Sequence, residues 1–139
     1  MRNALSFSSD RLSKVYFRRG NAKIGLKDYK GAITDYTEAI EINSRNAKIY
    51  YNRGFAKYET LDYWGSISDF NYAIRESPND AKAYFRRGLV KIEVQNYKGA
   101  ADDFFTAVII DSEIVHFFCK KCFSAIKLGT KETKYFGFR

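Results

Sequence analysis

A five-residue phrase, consisting of tyrosine, an aromatic residue, a polar residue, arginine and glycine, occurs three times in this chain. It ends at Gly20, Gly54 and Gly88, so consecutive copies are 34 residues apart. Two further sets of residues keep this spacing: Tyr29, Tyr63 and Tyr97, and Gly31, Gly65 and Gly99. A period of this length is typical of stacked supersecondary units that bury their apolar faces against one another. The sequence therefore predicts an array of three repeats, over 13–46, 47–80 and 81–114.

The apolar residues within each repeat recur at helical spacing, and polar breaks divide each unit into two helices. In the first repeat the sequence predicts helix A over 14–26 and helix B over 29–42, with the later helices displaced by 34 residues. The glycines of the phrase fall inside helix A, where glycine costs about 1 kcal/mol relative to alanine. Small residues on helix B indicate a close approach of the two helices at these glycines: Ala32, Ser66 and Ala100.

Three more sets of residues recur every 34 positions, two of them aromatic and one of alanine: Tyr16, Tyr50 and Tyr84; Tyr36, Phe70 and Phe104; and Ala39, Ala73 and Ala107. In this pattern the repeats resemble the tetratricopeptide repeat family over 13–114. The resemblance implies an all-α solenoid of three antiparallel helix pairs, wound into a right-handed superhelix with the A helices on its concave face. The chain departs from the family at Arg19, Arg53 and Arg87, where the family usually has leucine.

The segments outside the repeats are predicted to cover the ends of the array. A solenoid leaves its last apolar face uncovered, so we interpret 115–128 as a capping helix that ends at Gly129. Residues 129–139 form a basic, aromatic tail, and 1–12 form an N-terminal extension.

The overall composition excludes several classes of protein. The chain of 139 residues has two cysteines and contains no stretch of about 18 apolar residues. We therefore expect a cytoplasmic protein with no disulfide scaffold and no membrane contact.

The net charge of +8 is unevenly distributed between the two kinds of helix. The A helices carry eleven basic residues against two acidic ones, a balance of +9, and the B helices carry three against ten, a balance of −7. Each arginine at the family's leucine site precedes an aspartate of helix B by 16 residues. This spacing predicts three structural ion pairs: Arg19 with Asp35, Arg53 with Asp69, and Arg87 with Asp103.

The opposite face of helix A is the predicted binding groove, because residues there fall together at 100° per residue. Its side chains are basic, aromatic or amide groups: Lys14, Phe17, Arg18, Asn21, Lys48, Tyr51, Asn52, Phe55, Lys82, Phe85, Arg86 and Leu89. Such a surface suits an extended acidic peptide with a hydrophobic side chain or two. We predict a non-enzymatic adaptor in which the rings supply apolar contact, Lys82 and Arg86 pair carboxylates, and Asn21 and Asn52 bind the peptide backbone.

The resemblance also implies a more specific hypothesis, a carboxylate clamp for the free carboxyl-terminal tail of heat-shock chaperones. Four of the five clamp residues match: Asn21, Asn52, Lys82 and Arg86. The fifth site holds Phe17 where the clamp has lysine. Recognition of a peptide terminus and recognition of an internal motif both remain open at this point.

Cys119 and Cys122 are spaced as in metal-binding and redox motifs, and His116 lies three residues before them. A zinc site would need a second group of ligands, and redox pairs of this spacing normally begin a helix after a strand. Cys122 follows Gly88 by 34 residues and so occupies the small-residue site of the repeat. We therefore predict a packing role for it in the cap, and neither a metal nor a cofactor for the chain.

No catalytic residues are predicted, because one histidine and no phosphate-binding loop leave no set that could converge on a solenoid surface. The alternative from another class is single-stranded RNA, held by the basic and aromatic groove and by lysines beyond residue 119. Glu59 and Glu93 on the groove face oppose this hypothesis. A further alternative is a homo-oligomeric scaffold, in which the aromatic tail from Tyr135 to Phe138 occupies a neighbour's groove.

Overall fold

The computed structural model describes residues 4–135, with side chains over 8–131, and this part of the chain is all helical. A first compact unit ends at Glu76 and contains α1 (Ala4–Gly25), α2 (Tyr29–Ile42), α3 (Ala47–Glu59) and α4 (Tyr63–Glu76). A second begins at Ser77 and contains α5 (Ala81–Glu93), α6 (Tyr97–Ile110), a 3₁₀ segment (Ser112–Phe117) and α7 (Lys120–Tyr135). None of the described helices is both long and apolar enough to cross a membrane.

The helices pack as hairpins, α1 with α2, α3 with α4 and α5 with α6. The pairs are antiparallel, because contacts join early residues of one helix to late residues of the next. Ser13 Oγ donates to the Ala39 carbonyl over 3.0 Å, and nearer the turn Gly20 lies against Tyr36. From α2 to α6 each helix begins and ends within one residue of the bounds predicted from the 34-residue period.

The turn between paired helices has the same geometry in all three repeats. It contains one residue in the left-handed region, and these are Lys27 (φ 60°), Leu61 (φ 68°) and Gln95 (φ 61°). The next residue caps helix B by accepting a hydrogen bond of 2.9–3.0 Å from the backbone N–H three residues later: Asp28 from Gly31, Asp62 from Gly65, and Asn96 from Gly99. A Cβ on these glycines would lie 2.2–2.6 Å from the cap, which explains their spacing.

The glycines inside the A helices make room for buried aromatic rings of the B helices. A Cβ on Gly20 would lie 2.6 Å from the Tyr36 ring, and one on Gly88 would lie 2.7 Å from the Phe104 ring. Both rings are fully buried, so neither can move aside easily. The predicted close approach is present, although the nearest atoms of helix B are those of the rings and not of the small residues.

The first helix begins earlier than predicted. Most of the predicted N-terminal extension is helical, because α1 begins at Ala4 and continues without a break into the first repeat. The buried hydroxyl of Ser13, which donates to the Ala39 carbonyl, ties the end of this added stretch to α2.

The C-terminal helix was predicted wrongly at both ends. Residues 112–117 form a 3₁₀ segment, and α7 begins only at Lys120 and continues through Gly129 to Tyr135. Gly129 does not end the helix, because its role is close packing: a Cβ there would lie 2.5 Å from the Tyr97 carbonyl oxygen and 2.9 Å from Ala101 Cβ. The predicted tail is therefore helical as far as Tyr135, and 136–139 lie outside the described residues.

Candidate functional site

The buried charges of the helix pairs form the same arrangement in all three repeats. Each arginine of helix A donates two parallel hydrogen bonds to an aspartate of helix B, Nε to Oδ2 and Nη2 to Oδ1, over 2.6–2.9 Å. The pairs are those expected from the spacing: Arg19 with Asp35, Arg53 with Asp69, and Arg87 with Asp103. A lysine one turn further on lies 3.0–3.2 Å from each aspartate: Lys23, Lys57 and Lys91. These cations therefore hold the paired helices together.

Asp35 shows what this arrangement does to a buried carboxylate. Its side chain is 1% exposed and accepts from both Arg19 and Lys23. The hydrogen bonds from Arg19 are the main reason that the pKa of Asp35 lies below its ordinary value of 3.8, although burial acts in the other direction. A pKa that is lowered by folding adds stability above the unfolded pKa, and this stability is lost as the pH falls through the folded pKa.

We expect Asp35→Asn to lower the free energy of unfolding at neutral pH and to matter less in acid. Below pH 3.8 the unfolded wild type binds a proton more readily than the folded protein, so it loses stabilisation that the variant already lacks. Urea unfolding at a series of pH values measures the gap between the two proteins. If the gap stayed constant into strong acid, the ionised Asp35 would not be the source of the stabilisation.

The other face of the A helices in the first unit brings two predicted groove residues together. Asn52 Nδ2 donates to Asn21 Oδ1 over 2.9 Å, and the Tyr36 hydroxyl donates to the same oxygen over 2.6 Å. Burial is the main cause that raises the pKa of Tyr36 to about 12, so its hydroxyl remains a donor at neutral pH. Because two donors hold Oδ1 of Asn21, the amide plane is fixed and its Nδ2 is directed away from them.

A shallow groove lies next to the first turns of the repeat in this unit. It is lined by Lys14, Phe17, Asp10, Ser13, Asn43, Asn46 and Ile49. The predicted groove cations of this unit are exposed to solvent: Lys14, Arg18 and Lys48. Their charged groups can therefore meet a ligand without leaving an internal partner helix.

The predicted apolar residues of the first unit are half-buried rings. Each contacts a ring of a B helix at a centroid distance of 5.5–6.1 Å: Phe17 on Tyr36, Tyr51 on Phe70, and Phe55 on Tyr29. Since one edge packs against the core, such rings lose little freedom when a ligand covers the other edge.

In the second unit the predicted groove residues lie on α5, where Lys82 is exposed and Arg86 is half-buried. Phe85 stacks on Phe118, with 5.7 Å between ring centroids and 11° between ring planes, and Leu89 packs against the same cluster. Sequence analysis missed Phe118 because it lies beyond the repeat pattern. The only signal for it was the pair of adjacent phenylalanines at 117 and 118.

An ion pair changes the charge of the α5 surface. Glu93, one of the two acidic residues on the predicted groove face, pairs with Lys121 of α7. Lys121 had been counted toward a positive surface for RNA. In the structure it instead neutralises an acid that would repel an acidic ligand.

His116 and the two cysteines occupy different environments. His116 belongs to the 3₁₀ segment and not to α7, and its Nε2 lies 3.1 Å from Oε2 of Glu113. Cys122 is fully buried in the cluster that contains Phe104 and Ala125, which fits a packing role, whereas Cys119 is exposed. Among the residues whose side chains are described, no three His, Cys, Asp or Glu residues are grouped as for a metal ion.

The repeated antiparallel pairs, each with a small residue of one helix against a buried ring of the next, define a helical-repeat protein. The chain belongs to the tetratricopeptide repeat family. It is 31% identical to the TPR domain of Arabidopsis OM64, over 89% of this chain and 98% of that domain, with a TM-score of 0.76.

Other comparisons agree on the repeat. The family model described as TPR repeat matches residues 20–60. The second TPR of Spaghetti (RPAP3), bound to the HSP90 peptide SRMEEVD, is 26% identical over 75% of this chain and 96% of that chain, with a TM-score of 0.71. The second TPR domain of human RPAP3, in complex with the HSP70 peptide SGPTIEEVD, is 23% identical over 90% and 98%, with a TM-score of 0.72. None of the curated proteins matches this sequence.

Proposed function

We propose that this chain is a non-enzymatic interaction module that binds an extended acidic peptide carrying one or two hydrophobic side chains. The observation that carries the proposal is the fixed amide pair of Asn21 and Asn52, which lies on the same face as exposed lysines and half-buried rings. An extended peptide needs donors and acceptors for its backbone, cations for its carboxylates and apolar surface for its side chains. The first unit presents all three on α1 and α3.

The charges of this surface favour an anionic ligand. Lys14, Arg18 and Lys48 are exposed on the first unit, and Lys82 is exposed on the second. The equally numerous cations of the opposite face are held by buried aspartates, so they do not compete for the ligand. Pairing of Glu93 with Lys121 removes a repulsive charge from α5.

The solved relatives support a ligand of this chemistry. The peptides in two of them, SRMEEVD and SGPTIEEVD, both end in two glutamates, a valine and an aspartate. Such a sequence offers several carboxylates around one small apolar side chain, which is the ligand class that the exposed lysines and half-buried rings of this chain suit.

Phe17 stands where a chaperone-binding clamp would have lysine, and Lys14 lines the same groove. We propose that Lys14 supplies the cation there while the Phe17 ring contacts an apolar side chain. Lys14→Ala is then expected to weaken binding, and Phe17→Lys is expected not to weaken it.

We expect an acidic peptide ending in Glu-Glu-Val-Asp to bind in fluorescence anisotropy, and Arg86→Ala or Lys82→Ala to weaken it about tenfold, as for loss of a charged hydrogen bond. Lys30→Ala is the matched control, because it removes the same charge from the exposed surface of α2. It should leave the affinity unchanged at physiological ionic strength.

An amidated copy of the peptide separates two modes of recognition. If amidation abolishes binding, the protein recognises a free carboxyl terminus. If both copies bind alike, it recognises an internal acidic motif. Equal losses in Lys82→Ala and Lys30→Ala would show that only net charge matters, and stronger competition by single-stranded RNA than by peptide would overturn the proposal.

A further inference from the structure

The two cysteines of the chain form a close pair at the start of α7. They are the only cysteines in the sequence, and their Sγ atoms lie 3.4 Å apart. Cys119 immediately precedes the first residue of the helix and is exposed, whereas Cys122 lies in its first turn and is fully buried. The pair therefore begins a helix, as reactive pairs of this spacing do, although the residue before it is extended and does not belong to a strand.

The two thiols are chemically unequal. Burial acts against the thiolate of Cys119, but hydrogen bonds from the backbone and side chain of Cys122 and from the backbone of Lys121 outweigh it and lower the pKa of Cys119. Burial raises the pKa of Cys122 to about 11. An exposed thiol that ionises readily, beside a buried one that does not, is the arrangement in which one sulfur attacks and the other resolves.

We propose that Cys119 and Cys122 form a redox-active dithiol that exchanges with small-molecule disulfides, such as oxidised glutathione, and closes to an intramolecular disulfide. In the first step the Cys119 thiolate attacks one sulfur of the oxidant, whose S–S bond breaks, and one glutathione thiolate leaves. In the second step Cys122 gives up its proton and attacks Cys119 Sγ. The mixed disulfide breaks and a second glutathione leaves. The protein loses two electrons and two protons, and the oxidant becomes two thiols.

The backbone can accommodate this closure. A disulfide needs a sulfur separation of about 2.05 Å, so the sulfurs must approach by about 1.4 Å from their present 3.4 Å. Cys119 lies outside the helix and follows Phe118, whose backbone is extended (φ −70°, ψ 130°). The 118–119 segment can therefore move while the hydrogen bonds of α7 remain intact.

The test uses the full chain in glutathione redox buffers, with maleimide quenching and intact-mass measurement. We expect a monomeric species that is two hydrogens lighter than the reduced protein and takes up no maleimide. Cys122→Ser is expected to keep one glutathione on Cys119. Cys119→Ser is expected to react at least about tenfold more slowly, since its remaining thiol is buried.

Limited alkylation of the reduced wild type gives the order of reactivity without any variant, so a Cys122 variant that fails to fold would not affect this arm. Peptide mapping should find the first label on Cys119. The proposal is overturned if both thiols stay maleimide-reactive in oxidising glutathione, if disulfides form only between chains, or if the two thiols are labelled at equal rates in the folded protein.

Discussion

Arg87→Ala is expected to lower the free energy of unfolding by about 2–3 kcal/mol and the melting temperature with it. The change removes two hydrogen bonds of 2.6 and 2.9 Å to Asp103, a side chain that is 5% exposed. Stranding a buried charge completely costs roughly 3–5 kcal/mol. We expect less than this because Lys91 remains 3.0 Å from the carboxylate and compensates part of the loss.

Arg86→Ala is the matched control for this result. It removes the same kind of side chain from the neighbouring residue of α5 and leaves the pair of Arg87 with Asp103 intact. We expect it to change the free energy of unfolding by less than about 1 kcal/mol, as for a surface substitution, while it weakens peptide binding. Equal effects of the two variants on stability and on binding would mean that the faces of the A helices are assigned wrongly.

Gly129→Ala is expected to destabilise the protein by about 2 kcal/mol, even though alanine is the better helix former. The new methyl group would lie 2.5 Å from the Tyr97 carbonyl oxygen and 3.0 Å from Lys98 Cα, which are backbone atoms of α6. Backbone cannot move aside as a flexible side chain can, so α7 must shift away from α6. The shift should also increase the maleimide reactivity of Cys122, which is buried where these helices meet.

Gly25→Ala tests whether the loss comes from contact and not from the substitution itself. Gly25 ends α1, and a Cβ there would meet no atom within 4 Å. We therefore expect the free energy of unfolding to stay the same or to rise slightly. If both alanine variants destabilised the chain equally in urea unfolding, close packing of Gly129 on α6 would not explain its presence in the middle of a helix.

Most of the repeat could be predicted because it depends on contacts that recur at fixed sequence separation. The bounds of α2 to α6 follow from the period of apolar residues and from caps that reach only three residues along the chain. The ion pairs were accessible for the same reason. Arg19, Arg53 and Arg87 each have an aspartate 16 residues away, and an antiparallel hairpin brings residues at that separation together.

The candidate site was predictable only as a set of residues sharing one helix face. Periodicity could place Asn21 and Asn52 on that face, but not show that one amide donates to the other while Tyr36 holds the same oxygen. That arrangement depends on how α3 packs against the first hairpin. Phe85 was likewise assigned to a groove, and its stacking on Phe118 depends on a segment outside the period.

The sequence by itself determined the class of fold, the helices of the repeats and the ion pairs within them, because these follow from interactions repeated three times at constant spacing. The tertiary structure alone decided where α1 begins, how α7 packs and which thiol is buried. The terminal segments have no repeat to be read against. Gly129 is a helix-ending signal by local rules, and only its approach to the backbone of α6 makes it a packing residue within α7.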